Sequence, residues 1–297
     1  MAAEQLTGII LKSLSGFYYV ETQTQGVVAC RACGRFRKTG EKPLGGDHVK
    51  LRMEGDSGYI ESILPRANQL VRPPVANIDQ LLLVVSMCNP VPSTMVIDKM
   101  LAVAESQGIA PAIAFSKTDL ADAGPLYRLY TGAGFPCFAI SSQTGEGVDA
   151  VRPFLQGKVT VLTGNTGAGK SSLLNALFPE LGLETGEISR KLGRGRHTTR
   201  QVEFLHLPGG GLAADTPGFS SVAPQRYDLY QQGQIPAYFR EFRPYLGECQ
   251  FQGCSHTCEK GCAVLAAVQD GKIAPSRHAS YVAMLDEMKE IKEWDRK

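Results

Sequence analysis

No run of residues in this sequence is apolar for long enough to cross a membrane. The longest, LLLVVSMC at 81–88, falls far short of the about 20 residues a spanning helix needs. The opening MAAEQLTGIILKSLS has no sustained apolar core followed by a small-residue cleavage site, so it does not read as a secretory leader. A cytoplasmic protein with no membrane partner is the expectation. Net charge is also scarce: +2 over the whole chain gives no global field to gather nucleic acid or lipid. Internal repeats and low-complexity tracts are missing, which excludes a solenoid or a disordered chain. What remains, with 43% apolar and 20% charged residues in a chain of 297, is a globular protein of two or three domains.

Three textures follow one another. Residues 1–64 hold short β-rich runs, GIILKSLSGFYYVET, GVVACRA, GDHVKLRME and GYIESILP, punctuated by glycine and without a helical pattern. They predict a small barrel. Between Cys30 and Arg52 this part concentrates Arg31, Arg35, Arg37, Lys38, Lys42, Lys50 and Arg52 against only Glu41 and Asp47. Such a surface suits phosphate backbones, with Phe17, Tyr18, Tyr19 and Phe36 available to stack bases. A solvated basic face is the plainer reading of the same charges. PRANQLVRPP, residues 65–74, reads as a linker. Over 75–222, apolar runs QLLLVVS, APAIAFS, PCFAIS and KVTVLTG alternate with helical stretches such as STMVIDKMLAVAESQG, the signature of a parallel sheet buried on both faces. From 223 to 297 the chain turns polar, then cysteine-rich, and closes on a helix in SRHASYVAMLDEMKEIKEW.

GNTGAGKSS lies at the end of one of those strands and opens a helix, so it satisfies G-x-x-x-x-G-K-[ST] in its required setting. Gly164, Asn165, Thr166, Gly167, Ala168, Gly169, Lys170, Ser171 and Ser172 are the expected phosphate cradle. Lys170 is expected to reach the β- and γ-phosphates and Ser171 to bind Mg²⁺. Downstream, GLAADTPGF sets Asp215 and Gly218 in D-x-x-G spacing, one to hold Mg²⁺ through water and the other to sense a γ-phosphate. In GRGRHTTR, Thr199 is the favoured second Mg²⁺ ligand.

After Gly218 there is no [NT]-K-x-D motif to read guanine. It occurs upstream as SKTD, with Lys117 and Asp119 at the end of APAIAFS and Ser116 in place of the usual Asn or Thr, a departure expected to weaken one loop-bracing contact. ISSQTGEG, with Ser141 and Ser142, ends the next strand. The Asp119 carboxylate can accept from guanine N1–H and the 2-amino group, which adenine cannot match. The motif order is therefore that of a circularly permuted GTPase, an arrangement open to a compact domain whose termini lie close together.

The segments SGFYYV, RPPVANIDQ, SKTDL, GKSSLLN, GRGRHTTR and DTPGFS, spread along essentially the whole chain, give it a close likeness to one family. The sequence resembles the RsgA (YjeQ/YloQ) family of GTPases that depend on the small ribosomal subunit. The resemblance implies an N-terminal OB-fold, a central permuted P-loop GTPase domain and a C-terminal zinc domain. It further implies a monomeric hydrolase acting on GTP, with GDP as product, that matures the small subunit by contacting its rRNA.

Cys249-x4-Cys254-x-His256-x5-Cys262 offers three thiolates and an imidazole, a set suited to tetrahedral structural zinc and matching the spacing in RsgA-like proteins. By spacing alone, Cys258 competes with His256 or Cys262 for a place. Cys30 and Cys33 lack a second pair and read as strand residues. Where many GTPases carry Gln after D-x-x-G, Phe219 stands here, so His197 beside the switch threonines becomes the candidate to orient the attacking water, unless it meets only RNA or solvent. A metabolic P-loop kinase or ATPase, and an RNA-binding module with a structural nucleotide site, are the competing readings. SKTD and DTPG oppose the first; intact Lys170, Ser171 and Asp215 oppose the second. Because the chain leaves Gly218 directly for the cysteine-rich part, ordering that segment around a γ-phosphate is expected to reorient residues 224–297.

Overall fold

Alternating aliphatic residues close the first part into a barrel. In the computed structural model, which describes residues 5–183, 202–215 and 234–290, strands β1 (Gln5–Leu14), β2 (Phe17–Thr22), β3 (Gly26–Ala32), β4 (His48–Glu54) and β5 (Ser57–Ile63) join in the order β1-β2-β3-β5-β4. Only the β3–β5 pair is parallel. Ile10, Val20, Cys30, Val49, Leu51 and Ile60 point inward and are fully buried, while Lys50 and Arg52 take the alternate, outward positions of β4. The barrel is OB-like. Contrary to the expected absence of a helix, α1 (Arg35–Thr39) links β3 to β4 and stops at Gly40, whose φ of 73° few other residues adopt. Five residues are too few to show a helical period. This turn is held by one ring, Phe36, sunk into the barrel core at 5% exposure. Phe36 therefore cannot stack a base, unlike the half-exposed Phe17, Tyr18 and Tyr19.

Residues 65–76 are tied to this barrel. The Arg66 guanidinium donates to both oxygens of buried Asp47 at 2.7 and 2.8 Å, and to the Lys42 carbonyl at 2.9 Å. The short strands β6 (Gln69–Leu70) and β7 (Val75–Ala76) pair just beyond.

Six strands make the central sheet: β8 (Gln80–Ser86), β9 (Ala110–Ser116), β10 (Cys137–Ile140), β11 (Val159–Thr163), β12 (Phe204–His206) and β13 (Leu212–Asp215). Their order is β10-β9-β8-β11-β13-β12, all parallel except β12. All seven residues of β8 are buried, which explains its uninterrupted apolar run. Leu81, Leu83 and Val85 pack with Ile97 and Leu101 of α2 (Thr94–Ser106) on one face; Leu82 and Val84 pack with Leu173 and Leu174 of α5 (Lys170–Leu177) on the other. Helix α3 (Gly124–Gly132) and the short α4 (Arg152–Leu155) complete the layers. The barrel rests on edge strand β12: Lys12 meets Glu203 at 2.8 Å, Glu21 meets His206 at 2.9 Å, and the Phe204 ring lies against Gly45, where a side chain would approach it to 3.1 Å.

The last part is built from two 3₁₀ segments (Ile235–Tyr238 and Arg240–Tyr245), a cysteine-rich loop, and helices Ala263–Gln269 and Pro275–Glu290. Phe239, Phe242, Tyr281 and Met284 form its core, which Ala102 of α2 joins. At the seam Arg277, 1% exposed, donates to Asp98 of α2 and to Glu241, each at 2.6 Å, beneath the Phe239 ring at 4.6 Å. The Tyr130 hydroxyl also donates to Asp98, at 2.8 Å. Lys99 reaches Glu287 at 2.5 Å, and Glu105 receives Arg240 at 2.6 Å and Arg243 at 2.5 Å.

This seam runs against the expected reorientation of residues 224–297. Breaking a buried ion pair costs about 3–5 kcal/mol, whereas a ligand coupling typically supplies about 1–3 kcal/mol. Residues 234–290 and α2 are therefore expected to move together. Arg277→Ala, which strands two buried carboxylates, is expected to lower the urea-unfolding free energy by about 3–5 kcal/mol, whereas Lys272→Ala, at an exposed ion pair, is expected to leave it unchanged.

Candidate nucleotide and metal sites

Four sequence motifs converge on one edge of the sheet because each follows the C-terminal end of a parallel strand, where open α/β sheets bind ligands. β9 leads into Ser116, Lys117 and Asp119; β10 into Ser141 and Ser142; β11 into the glycine-rich loop; and Asp215 ends β13, in register with Leu162 of β11. Thr199, His197 and Gly218 lie outside the described residues.

The loop from Gly164 to Gly169 is shaped by backbone that needs glycine. Gly164 has φ 143°, and a Cβ there would sit 2.1 Å from the Val84 carbonyl oxygen, so the loop can pass β8 only without a side chain. Gly169, at φ 96°, caps α5 and turns the chain so that Lys170 begins the helix. Lys170 is 7% exposed, and its ammonium donates to the loop's own Gly164 and Asn165 carbonyls at 3.1 and 3.3 Å. The cation is thus held inside the curl of the loop, with Ser171 and Ser172 half-buried beside it.

Ser116, 2% exposed, donates to the Ala168 carbonyl at 2.6 Å and so pins the glycine-rich loop to the end of β9. The serine, expected to weaken a loop-bracing contact relative to Asn or Thr, makes this bond to the loop. Lys117 takes a φ of 61°, and its ammonium donates to the Cys88 and Asn89 carbonyls at 3.1 and 2.7 Å. Asp119, two residues on, is exposed. Ser141 is fully buried; its Oγ accepts from the Thr144 amide at 3.2 Å, and its own amide donates to the Glu146 carbonyl at 2.9 Å, which fixes the loop facing SKTD.

A second cluster lies in the last part. Ligand atoms of Cys249, Cys254, His256 and Cys262 all fall within 4.8 Å of one another. Cys249 Sγ is 3.9 Å from Cys262 Sγ, and both are 3.5 Å from His256 Nδ1. Metal–sulfur bonds of about 2.3 Å in a tetrahedron place sulfurs about 3.8 Å apart, so these donors fit one metal ion. Cys258 is exposed and stands outside the set, which removes it as an alternative ligand. Burial pushes the His256 imidazole below its ordinary pKa and favours the neutral form that ligates metals.

Family models match on both sides of this description: the RsgA N-terminal domain over residues 7–60 and the RsgA GTPase over residues 63–225. The chain belongs to the RsgA GTPase family. A small ribosomal subunit biogenesis GTPase RsgA from Geobacillus thermodenitrificans is 47% identical over 292 residues, covering 96% of this chain and 98% of that one. The RsgA of Streptococcus pyogenes is 44% identical over 293 residues and covers 97% of each. Among solved structures, YjeQ from Thermotoga maritima superposes with a TM-score of 0.80 at 34% identity, covering 97% of this chain and all of that one. YloQ, a circularly permuted GTPase, gives 0.77 at 37% identity over 97% and 96%. In this chain too the base-reading SKTD after β9 and the serine loop after β10 precede the glycine-rich loop after β11.

Several residues that brace the sites carry no motif. Glu259 accepts from the Ser255 hydroxyl and from the Ser255, Thr257 and Cys258 amides, the last three at 2.7, 3.0 and 3.1 Å. Those bonds, the Ser255 hydroxyl first, hold its carboxyl far below the usual carboxylate range. Tyr281 donates to the Ser255 carbonyl at 2.6 Å, and His278 Nε2 lies 2.7 Å from the His256 carbonyl oxygen. The spacing of His278 and Tyr281 on one helix face, three residues apart, was the available signal.

Proposed function

We propose that this RsgA family member hydrolyses GTP while bound to the small ribosomal subunit, late in that subunit's maturation; its relatives carry the name small ribosomal subunit biogenesis GTPase. The observation that carries the reading is the meeting of SKTD, the serine loop and the glycine-rich loop at one sheet edge, with Ser116 bonded to the phosphate loop. On this reading Asp119 selects guanine, Lys117 and the Ser141–Ser142 loop flank the base, and residues 164–172 cradle the phosphates. Lys170 stabilises the β- and γ-phosphates. Ser171 and Thr199 hold Mg²⁺, Asp215 holds it through water, and Gly218 senses the γ-phosphate. The metal of the cysteine cluster is zinc, whose role is structural. The protein acts as a cytoplasmic monomer. Among the described residues no helix is long and apolar enough to cross a membrane.

Dependence on the subunit has a physical route. Thr199 lies three residues before Val202, which is buried together with Phe204 against the barrel's Leu11. The strand that follows the switch threonines is thus clamped between the barrel and the sheet. Force from RNA on the barrel reaches it through the Lys12–Glu203 and Glu21–His206 contacts.

The test is GTP turnover with and without purified small subunits. Turnover is expected to be slow alone and strongly stimulated by the subunit, because Phe219 cannot orient water. His197→Ala is expected to remove most of the stimulation, by about 10²-fold or more, the scale of a lost proton or water-positioning group, while GTP affinity persists. Equal turnover with and without subunits would end the proposal.

A further inference from the structure

Helix α5 begins with Lys170 and Ser171, and past the end of the G-x-x-x-x-G-K-[ST] pattern it keeps one further polar side chain with a defined task. Asn175 lies four residues after Ser171, one turn further along the same helix face, and is half-buried. Beyond the helix the chain makes the 3₁₀ turn Pro179–Leu181, passes Gly182 at φ 54°, and turns back so that Leu183 meets Asn175. The Asn175 carboxamide donates to the Leu183 carbonyl at 2.7 Å, and the Leu183 amide donates to Asn175 Oδ1 at 2.8 Å. One side chain thus exchanges two bonds with the backbone of one residue, as the partner in an antiparallel strand pair would. An aspartate here would lack the donor, and an alanine both groups. The turn is packed from below. Phe178 is 3% exposed, with Leu181 and Leu183 against its cluster. Arg152 lies over the Phe178 ring at 4.9 Å and donates to the Leu177 carbonyl at 2.7 Å.

Leu183 is where the chain sets out toward His197 and Thr199, sixteen residues before the threonine. We propose that Asn175 is a positioning residue for GTP hydrolysis, fixing the start of that stretch to the helix that bears Lys170 and Ser171 so that Thr199 reaches the nucleotide from a set origin. It rests on the reading of Thr199 as a Mg²⁺ ligand and adds the residue that aims it. Tether length is the smaller part of the effect, because closure entropy grows only with the logarithm of loop length. The larger part is prior order. The two bonds hold residues 179–183 in place before nucleotide binds, and without them the triphosphate state has to supply that order itself. Thr199 is called on only when the γ-phosphate is present, so GDP binding does not draw on the anchor.

The test uses the full chain, with fluorescent GDP and a non-hydrolysable GTP analogue as probes in the presence of Mg²⁺, and GTP turnover with purified small subunits. Asn175→Ala is expected to lower both the affinity for the analogue and the stimulated kcat by about 5- to 150-fold, the usual span of such couplings. GDP affinity should persist and reports that the variant is folded. Asn175→Asp, which keeps the shape but turns a carboxylate toward the Leu183 carbonyl, should act in the same direction and decides the matter if the alanine variant does not fold. Glu180→Ala, at an exposed position in the same turn, should change none of these values. In a Thr199→Ala background, Asn175→Ala should cost nothing further, since a residue that acts through Thr199 then has nothing left to aim. Additive losses in that background, equal losses for GDP and the analogue, or wild-type values in both Asn175 variants would each overturn the proposal. Thr199→Ala alone keeps the two readings apart. If it lowers analogue affinity and the Asn175 variants do not, only the positioning role fails; if it lowers neither affinity nor turnover, the assignment of Thr199 fails and the proposal with it. Absent stimulation of the wild type sinks the ribosomal function, and the two nucleotide affinities still decide the role of Asn175.

Discussion

Stripping the metal from this protein is expected to unfold its last part and leave the barrel and the sheet standing. The cysteine loop has little apolar material of its own, and Phe251 at its tip is 55% exposed. Besides the bonds to Glu259 and the contacts from Tyr281 and His278, its shape depends on the Gln250 amide to the Gly261 carbonyl at 3.0 Å, the Ala263 amide to Cys249 Sγ at 3.4 Å, and the Leu265 amide to Cys262 Sγ at 3.4 Å. The last two donate to sulfurs of the ligand set, so the cluster also caps helix Ala263–Gln269. A thiolate accepts those bonds more strongly than a thiol, and a bound cation is what makes the thiolate stable there. Zinc sites of this kind contribute about 10–16 kcal/mol of apparent binding free energy at neutral pH. That exceeds the about 5–15 kcal/mol by which domains are stable for most of its range. Elemental analysis is expected to give about one zinc per chain in the wild type and almost none in Cys254→Ala. Hydrogen exchange in that variant should accelerate across residues 234–290 and far less across the barrel. Cys258→Ala, outside the cluster, should change neither readout. Acid should release the metal as the thiols take back protons. A well-folded, metal-free wild type would contradict the assignment.

How much of this could be read before the structure depends on the range of each interaction. The seven apolar residues of β8, the glycines at 164, 167 and 169, and SKTD at a strand end are local patterns whose physics is local, and the sheet carries them where expected. The donor set of the cysteine cluster was legible for the same reason, since all four ligands fall within fourteen residues. Spacing could not decide against Cys258, because exposure is a property of the folded loop. Phe36 misled by sitting among arginines and lysines. Its inward direction comes from the turn of α1, which is too short to announce itself. Arg277 and Asp98, 179 residues apart, look like ordinary helix-surface charges until two helices meet. The brace from Ser116 to Ala168 was open to doubt for a related reason. Whether a short hydroxyl can span the gap depends on a distance between two loops, here 2.6 Å, that no motif encodes.

Asp119→Asn is expected to turn a guanine site into a xanthine site. Asp119 sits in a turn fixed on both sides: the Leu120 amide donates to the Lys117 carbonyl at 3.0 Å, the Thr118 amide to the Ile140 carbonyl at 3.3 Å, and Lys117 is held by the two carbonyls after β8. The replacement alters one exposed side chain and nothing that these bonds rely on, so the fold should be unaffected. A carboxylate offers acceptors alone, which suits the N1–H and 2-amino donors of guanine. An amide in the same place presents an N–H toward the 2-amino group, and two donors then face each other. Each charge-assisted hydrogen bond is worth about 1.5–3 kcal/mol. Losing two costs about 3–6 kcal/mol, or about 10²- to 10⁴-fold in GTP and GDP affinity. Xanthine carries an oxygen where guanine has the amino group, and the amide N–H can donate to it. Xanthosine nucleotides should therefore bind the variant more tightly than guanosine nucleotides, with the order reversed in the wild type. Titration with fluorescent GDP, competed by xanthosine, guanosine and adenosine diphosphates, measures all the affinities in one format. ATP should remain a poor ligand for both proteins, because adenine lacks a proton at N1. Guanine affinity unchanged in Asp119→Asn would place the base elsewhere on the sheet edge and leave the SKTD turn as a brace for the phosphate loop alone.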